Sequence, residues 1–226
     1  MFKYIFLLLI LSFYQPVFST EDTISQAVAR YLTRIHKYME AEDWINAERE
    51  LEQTARRYFK NEDSYERALI NQLYGQFYAM QRDYKNAIPW FEKAIAKGRL
   101  PFAADLQVTY SLAQCYFQTG RYTDVINTLE NYRTKASKRG QNMAPVQLMV
   151  LGIAYFQEQE ILKAYLNIAE ANATSTKLNE EWLQYEFALA VKLEKYDEAI
   201  NVGQFLIFVN PEKKSYWKQL SGVYSV

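Results

Sequence analysis

The sequence is poor in the side chains on which most chemistry depends. Among 226 residues it has one cysteine, Cys115, and one histidine, His36. A single thiol excludes an internal disulfide, and these two residues lie too far apart to form a metal-ligand spacing. There is no glycine-rich phosphate loop, and no serine stands in a nucleophile-elbow setting. Neither sign of charge is in excess, with 26 basic and 26 acidic side chains, so bulk electrostatics does not draw the chain to nucleic acid. The basic trio Lys135, Lys138 and Arg139 reads as a solvated linker. Beyond the first residues no stretch approaches the roughly 20 apolar residues that a membrane helix requires. Neither catalysis nor a metal or cofactor is expected.

Several individual residues invite a sharper reading and support a bland one. Cys115 falls mid-helix beside Tyr116, as a buried structural thiol does. His36 lies among Arg34, Lys37 and Glu40 as a half-exposed helix residue. The acids Glu40, Glu42 and Asp43, then Glu48, Glu50 and Glu52, alternate with Arg49 and Leu51. That is the polar face of amphipathic helices rather than a cation site. Asn172-Ala173-Thr174 matches a glycosylation acceptor by pattern alone.

What the chain has is apolar material, 50% hydrophobic and 16% aromatic, enough for a core without covalent staples. Some of it is at the start. Met1-Phe2-Lys3, an apolar run from Tyr4 to Phe13 and then Val17-Phe18-Ser19 have the layout of a secretory signal, with cleavage expected after Ser19. The alternative is an uncleaved anchor. Residues 1–19 contain one basic residue, Lys3, so 20–226 would carry a net charge of minus one (25 basic, 26 acidic). The expected domain plan is a signal peptide over 1–19 and one repeat array over 20–226.

The repeat is visible as spacing. Trp217-x-x-Leu220-Ser221-x-x-Tyr224 echoes Leu112-Ala113-x-x-Tyr116 and Leu151-Gly152-x-x-Tyr155. Twelve residues after each small residue comes another, and four further on an apolar one: Gly75 leads to Ala87 and Phe91, Gly152 to Ala164 and Ile168. Small residues belong where two helices cross closely, and large ones fill the space beside them. This is the pattern of the tetratricopeptide repeat, and it predicts an all-α fold, a right-handed superhelical solenoid of helix-turn-helix units. The aligned positions Ala47, Ala87, Val125, Ala164 and Ala199 are 40, 38, 39 and 35 apart, against an ideal of about 34. The surplus falls in linkers at 97–101 and 137–141. About five units are expected, the last incomplete, with only a helix from about 213. Pro211 and Trp217 mark it, and Ala113 and Ala199 complete the structural set.

Local signals fit this plan. The hairpin turns read as Arg82-Asp83-Tyr84, Thr119-Gly120-Arg121-Tyr122 and Glu194-Lys195-Tyr196-Asp197, each with an aromatic to plug the unit against the next. Trp44 serves that place in the first unit. Pro89 falls inside a helix, where a bend is expected rather than a break.

In such an array the first helix of each unit lines the concave surface. The projecting positions are Leu69, Gln72, Gln76 and Ala79, then Gln107, Tyr110, Gln114 and Phe117, then Val146, Met149, Ile153 and Phe156. From these the candidate peptide groove is Gln72, Gln76, Tyr110, Gln114, Phe117, Met149 and Phe156. The glutamines would hydrogen-bond an extended backbone and the others would hold apolar side chains. Met149 and Ile153 can equally pack between first helices, whereas the glutamines are expected to be exposed. The lysine and asparagine clamp of chaperone-binding members is absent.

The stretches Tyr84-Lys85-Asn86-Ala87-Ile88-Pro89-Trp90-Phe91-Glu92-Lys93-Ala94, Leu106-Gln107-Val108-Thr109-Tyr110-Ser111-Leu112-Ala113-Gln114 and Lys213-Lys214-Ser215-Tyr216-Trp217-Lys218-Gln219-Leu220-Ser221 resemble exported tetratricopeptide proteins of Gram-negative bacteria associated with TonB systems. The resemblance runs from about Glu40 onward. It implies a non-enzymatic periplasmic scaffold and protein partners of the TonB, ExbB or ExbD type, which energise outer-membrane uptake of iron complexes. An envelope-assembly or cell-wall adaptor with another client is the alternative. Members of that group carry further repeats after the tryptophan segment. Two expectations follow: the chain is a shortened relative, or the apolar surface of Leu220, Val223, Tyr224 and Val226 is itself a docking or self-association face.

Overall fold

The computed structural model describes residues 26–58, 61 and 63–225. The expected signal segment, with its cleavage point at Ser19, lies outside them. The described residues form eleven α-helices and no strand. They are α1 (Gln26–Glu40), α2 (Trp44–Tyr58), α3 (Tyr65–Met80), α4 (Tyr84–Ile95), α5 (Phe102–Gln118), α6 (Tyr122–Ser137), α7 (Pro145–Gln157), α8 (Ile161–Thr174), α9 (Glu180–Lys192), α10 (Tyr196–Val209) and α11 (Lys214–Val223). The order is five helix pairs followed by α11. The described residues divide into two compact units, the first ending at Thr119 and the second beginning at Gly120.

In each unit every helix packs on its neighbour in sequence. The first unit holds a core in which Val28, Ile35 and Met39 of α1 meet Ala47 and Leu51 of α2 and Ile70, Leu73 and Phe77 of α3. Trp44 closes this core edge-on against Phe77, with ring centroids 6.0 Å apart, so the expected aromatic plug reaches the next repeat.

The crossings are set by the small residues that the spacing singled out. A β-carbon at Gly75 would stand 2.5 Å from the Phe91 ring, and one at Gly152 would stand 2.5 Å from Ile168 Cγ1 and 3.2 Å from the Ala164 carbonyl. Glycine is therefore required by approach, and Phe91 and Ile168 fill the room it leaves. Ala87, Ala113, Ala164 and Ala199 are each 0% exposed.

The turns inside the pairs share one geometry. Glu42, Arg82, Gly120, Gln159 and Glu194 all have positive φ, between 56° and 74°. Each stands five positions before its aligned small residue (42 and 47, 82 and 87, 120 and 125, 159 and 164, 194 and 199). In four of them the next amide donates back to the carbonyl at the start of the last helical turn: Asp43 to Tyr38, Asp83 to Tyr78, Glu160 to Tyr155 and Lys195 to Ala190, all at 2.9 Å. That is a left-handed C-terminal cap, usually given to glycine, yet only one of the five is glycine. The following helices begin on side-chain caps in two cases. The Asp83 carboxylate accepts from the amide of Asn86, and the Asp43 carboxylate accepts from Asn46.

Two local expectations meet the structure directly. Helix α4 runs unbroken past Pro89. Lys135, expected in a linker, belongs to the last turn of α6, which continues to Ser137.

Consecutive pairs are also tied by tyrosine. The Tyr116 hydroxyl donates to Glu92 Oε1 at 2.5 Å, and the Tyr155 hydroxyl donates to Glu130 Oε1 at 2.9 Å. Both tyrosines stand three positions after an aligned small residue, and both glutamates stand five after one. The spacing thus builds the same hydrogen bond between α4 and α5 as between α6 and α7. Arg133 extends the second of these, donating both to Glu130 and to the Asn167 amide oxygen.

Candidate functional site

Helix α3 has three differently occupied sides. Ile70, Leu73 and Phe77 enter the core shared with α1 and α2. Gly75 abuts Phe91 of α4, and Tyr74 stacks on Trp90 of α4 with centroids 4.3 Å apart. At 100° per residue, the direction away from both contacts belongs to Leu69, Gln72, Gln76 and Ala79. That is the set expected on the concave surface.

Exposure on this side departs from expectation. Gln72 is 3% exposed, so the position chosen as a solvent-facing amide is buried. Gln76 is half-buried. The side-chain oxygens of both are shielded from solvent and take no hydrogen bond from the described residues, as is also true of Thr54 and Asn71. Sequence reasoning did not single out Thr54 or Asn71. Nothing in a lone polar residue on a helix reveals whether its partner will be present.

The equivalent positions on α5, Tyr110 and Gln114, are half-buried, and so is Phe117. These three share the first unit with Gln72 and Gln76. In the second unit Met149 is 3% and Ile153 6% exposed. Met149 is therefore a core residue of α7 and is corrected out of the exposed groove. Phe156, one turn later, is half-buried.

The remaining chemistry-bearing residues have structural places. Burial holds the His36 imidazole below its usual range, partly opposed by the nearby Glu40 carboxylate, so it stands neutral at pH 7. Burial alone pushes the Cys115 thiol up to about 12, which leaves no reactive thiolate. Two of the acids of α2 are paired, Glu50 with Arg34 of α1 at 2.6 Å and Glu52 with Arg56 at 3.0 Å. Burial raises Tyr74 to about 12, and the Glu52 charge adds to that rise. Among the described residues no group of three His, Cys, Asp or Glu side chains is placed to hold a metal ion. No described helix is long and apolar enough to cross a membrane. Asn172, the acceptor of the glycosylation pattern, lies inside α8 and donates its amide to Glu186 at 2.7 Å. The second unit also exposes apolar side chains that the spacing did not predict: Leu162 and Leu166 on α8, Phe205 and Phe208 on α10.

The tetratricopeptide repeat family model matches residues 32–104. The model of the anaphase-promoting complex, cyclosome, subunit 3 matches residues 80–144. No curated protein matches the chain by sequence. Among solved structures it is similar to a tetratricopeptide repeat protein of Parabacteroides merdae, at 16% identity over 88% of this chain and 73% of that one, with a TM-score of 0.63. It is similar to pilF of Pseudomonas aeruginosa, at 17% identity over 86% of this chain and 82% of that one, TM-score 0.61. It is also similar to MamA of Desulfovibrio magneticus, at 16% identity over 84% of this chain and 99% of that one, TM-score 0.64. At such identities the likeness speaks for the fold alone. The helix pairs, their glycine and alanine crossings and the family match over 32–104 together make this chain a tetratricopeptide-repeat protein in fold.

Proposed function

We propose that the chain is a non-enzymatic scaffold for protein partners, exported to the periplasm, where it serves a TonB, ExbB and ExbD energy-transduction system in outer-membrane uptake of iron complexes. The observation that carries the scaffold reading is the half-buried row Gln76, Tyr110, Gln114 and Phe117 on the first helices of two successive repeats. Amides and aromatics in such a row fit a protein segment, and no catalytic constellation lies among them. The envelope assignment rests on the signal-like start and on the resemblance of the stretches 84–94, 106–114 and 213–221 to TonB-associated exported proteins.

The deciding experiment is in-cell crosslinking of the tagged full chain, followed by fractionation and mass spectrometry. Recovery from the periplasm joined to TonB, ExbB or ExbD components supports the whole reading. Recovery joined only to envelope-assembly or cell-wall proteins moves the function to that kind of adaptor. Fractionation with the cytoplasm overturns the export step.

A further inference from the structure

The two units carry the same side-chain site in different states, one filled and one open. In the second unit it is built on Tyr155 of α7, between α6 and α8. The Tyr155 hydroxyl donates to Glu130 Oε1 at 2.9 Å. The Arg133 guanidinium donates to the same carboxylate at 3.2 Å and, with its other terminal nitrogen, to the Asn167 amide oxygen. From α8 the Lys163 ammonium stands 5.1 Å from the Tyr155 ring centroid and pairs with Glu160 at 2.6 Å. Each acid there has its own base.

The first-unit copy is found by counting along the repeat. The aligned small residues Gly75 and Gly152, and Ala87 and Ala164, are 77 positions apart, and Ala47 and Val125 are 78 apart. Tyr155 therefore corresponds to Tyr78, Glu130 to Glu52 and Glu160 to Asp83. The acids are kept and the bases are not. Ala55 stands in the place of Arg133 and Asn86 in that of Lys163, while α2 adds a further acid, Glu48, where α6 has Ile126.

The consequence is an unbalanced charge beside a half-buried ring. The carboxylates of Glu48, Asp83 and Glu52 all bear on Tyr78 and no cation does, whereas Arg133 bears on Tyr155. The nearby bases are engaged elsewhere. Arg56 meets Glu52 at 3.0 Å from a side chain 80% exposed, a pair worth little and easily exchanged. Lys93 lies over the Trp90 ring at 4.6 Å, and Arg67 bears on Tyr74, one turn before Tyr78. Glu48 is exposed and has no base among the described residues. Ala55 is half-buried and stops at its β-carbon where Arg133 extends a guanidinium. In sequence Glu48 and Glu52 read as a solvated polar face, and their place beside Tyr78 is what the structure adds.

Charge and shape together narrow the ligand. Glu48 and Glu52 are one helical turn apart, so a planar guanidinium can reach both carboxylates while its face lies on the phenol ring. A compact ammonium offers neither the fork nor the flat face. We propose that the side of α3 between α2 and α4 receives an arginine of a partner protein at Tyr78, its guanidinium taking the place that Arg133 holds in the second unit and gripped by Glu48 and Glu52. This surface is separate from the row Gln76, Tyr110, Gln114 and Phe117, and the proposal rests on the scaffold reading only in taking its ligand from a protein.

The test titrates the full chain with the blocked tripeptide acetyl-Gly-Arg-Gly-amide and with its neutral citrulline counterpart, reading the ring resonances of Tyr78 and Tyr155. The arginine peptide should move Tyr78 and leave Tyr155 in place, and the citrulline peptide should move neither. Glu48→Gln and Glu52→Gln should each weaken binding about threefold. Ala55→Arg supplies the guanidinium from within, so it should abolish the Tyr78 response and raise the melting midpoint by about 2 °C. The proposal is overturned by a silent Tyr78, by an equal response to citrulline or at Tyr155, or by both glutamine variants binding as wild type does. A chain that captures partners in the crosslinking experiment but shows no Tyr78 response loses this site and keeps the scaffold. One that captures none loses the scaffold reading, whatever Tyr78 does.

Discussion

Helices α3 and α7 are the same element of the repeat, and they have been put to opposite uses. Each carries the glycine that a neighbouring side chain touches, Gly75 against Phe91 and Gly152 against Ile168. The positions three before and one after that glycine are Gln72 and Gln76 in α3 but Met149 and Ile153 in α7. In α7 every residue from Gln147 to Tyr155 is buried, so it behaves as an internal strut with no face to offer. Helix α3 buries almost as much, yet leaves three amide oxygens, those of Asn71, Gln72 and Gln76, without a donor among the described residues. The comparison teaches that the crossing positions fix where a helix goes, while the face turned away from the crossing is free to become core or contact surface. Polarity at two positions decides which.

The largest expected effect tests what the two helices share. Replacing Gly75 or Gly152 by valine drives a branched side chain into Phe91 or Ile168 and should cost about 3 kcal/mol in each case, at the upper end of overpacking penalties. Urea unfolding of the two variants measures it. Equal losses confirm a common crossing, and a harmless Gly152→Val would break the equivalence of the two repeats.

The next test exchanges their faces. Met149→Gln puts an amide without a partner into the α7 core and should cost about 2 kcal/mol. Gln72→Leu in α3 should go the other way and stabilise. If both changes destabilise alike, the two faces are both core and the contrast drawn here is lost.

Smaller effects concern features common to both units. Gly120→Ala forces a side chain into a left-handed turn and should cost about 1 kcal/mol, while Arg82→Gly and Glu194→Gly should each gain a comparable amount. Thermal melts of the three variants decide it, and a neutral Gly120→Ala would show that this turn relaxes where the others do not. Tyr116→Phe and Tyr155→Phe each remove one hydrogen bond between pairs and should cost about 1 kcal/mol.

The smallest effect comes from pH. Tyr74 in the first unit and Tyr155 in the second are both held at about 12, by burial first and then by neighbouring glutamates. Their unfolded hydroxyls lose protons near pH 10, so between about pH 10 and 12 the folded chain holds more protons than the unfolded one. Stability present below pH 10 should then be lost as pH rises towards 12. A melting midpoint that stays flat over that window would show that neither hydroxyl is protected.

The primary sequence alone determined the all-helical repeat, the crossings at Gly75 and Gly152, and the hairpin turns before Trp44, Tyr84, Tyr122 and Tyr196; the turn at Gln159 was not read. Those features rest on local spacing. A small residue twelve positions before another, as at Gly75 and Gly152, and an aromatic closing a turn, as at Trp44, Tyr84, Tyr122 and Tyr196, carry the same physical meaning wherever they recur. The left-handed residue was legible only at Gly120. Glu42, Arg82, Gln159 and Glu194 adopt the same backbone because the helices on either side, packed at fixed crossings, impose it against their intrinsic preference. The candidate face was legible as a set of positions, but not as surface or core. Gln72 reads as an exposed amide and is buried, and Met149 was open to either reading and is core. Which residues touched Phe91 or Ile168, which oxygens lost their partners, and where the chain divided into two units were decided only by tertiary structure. Those outcomes depend on how elements distant in sequence cover one another, and no helix records its own cover.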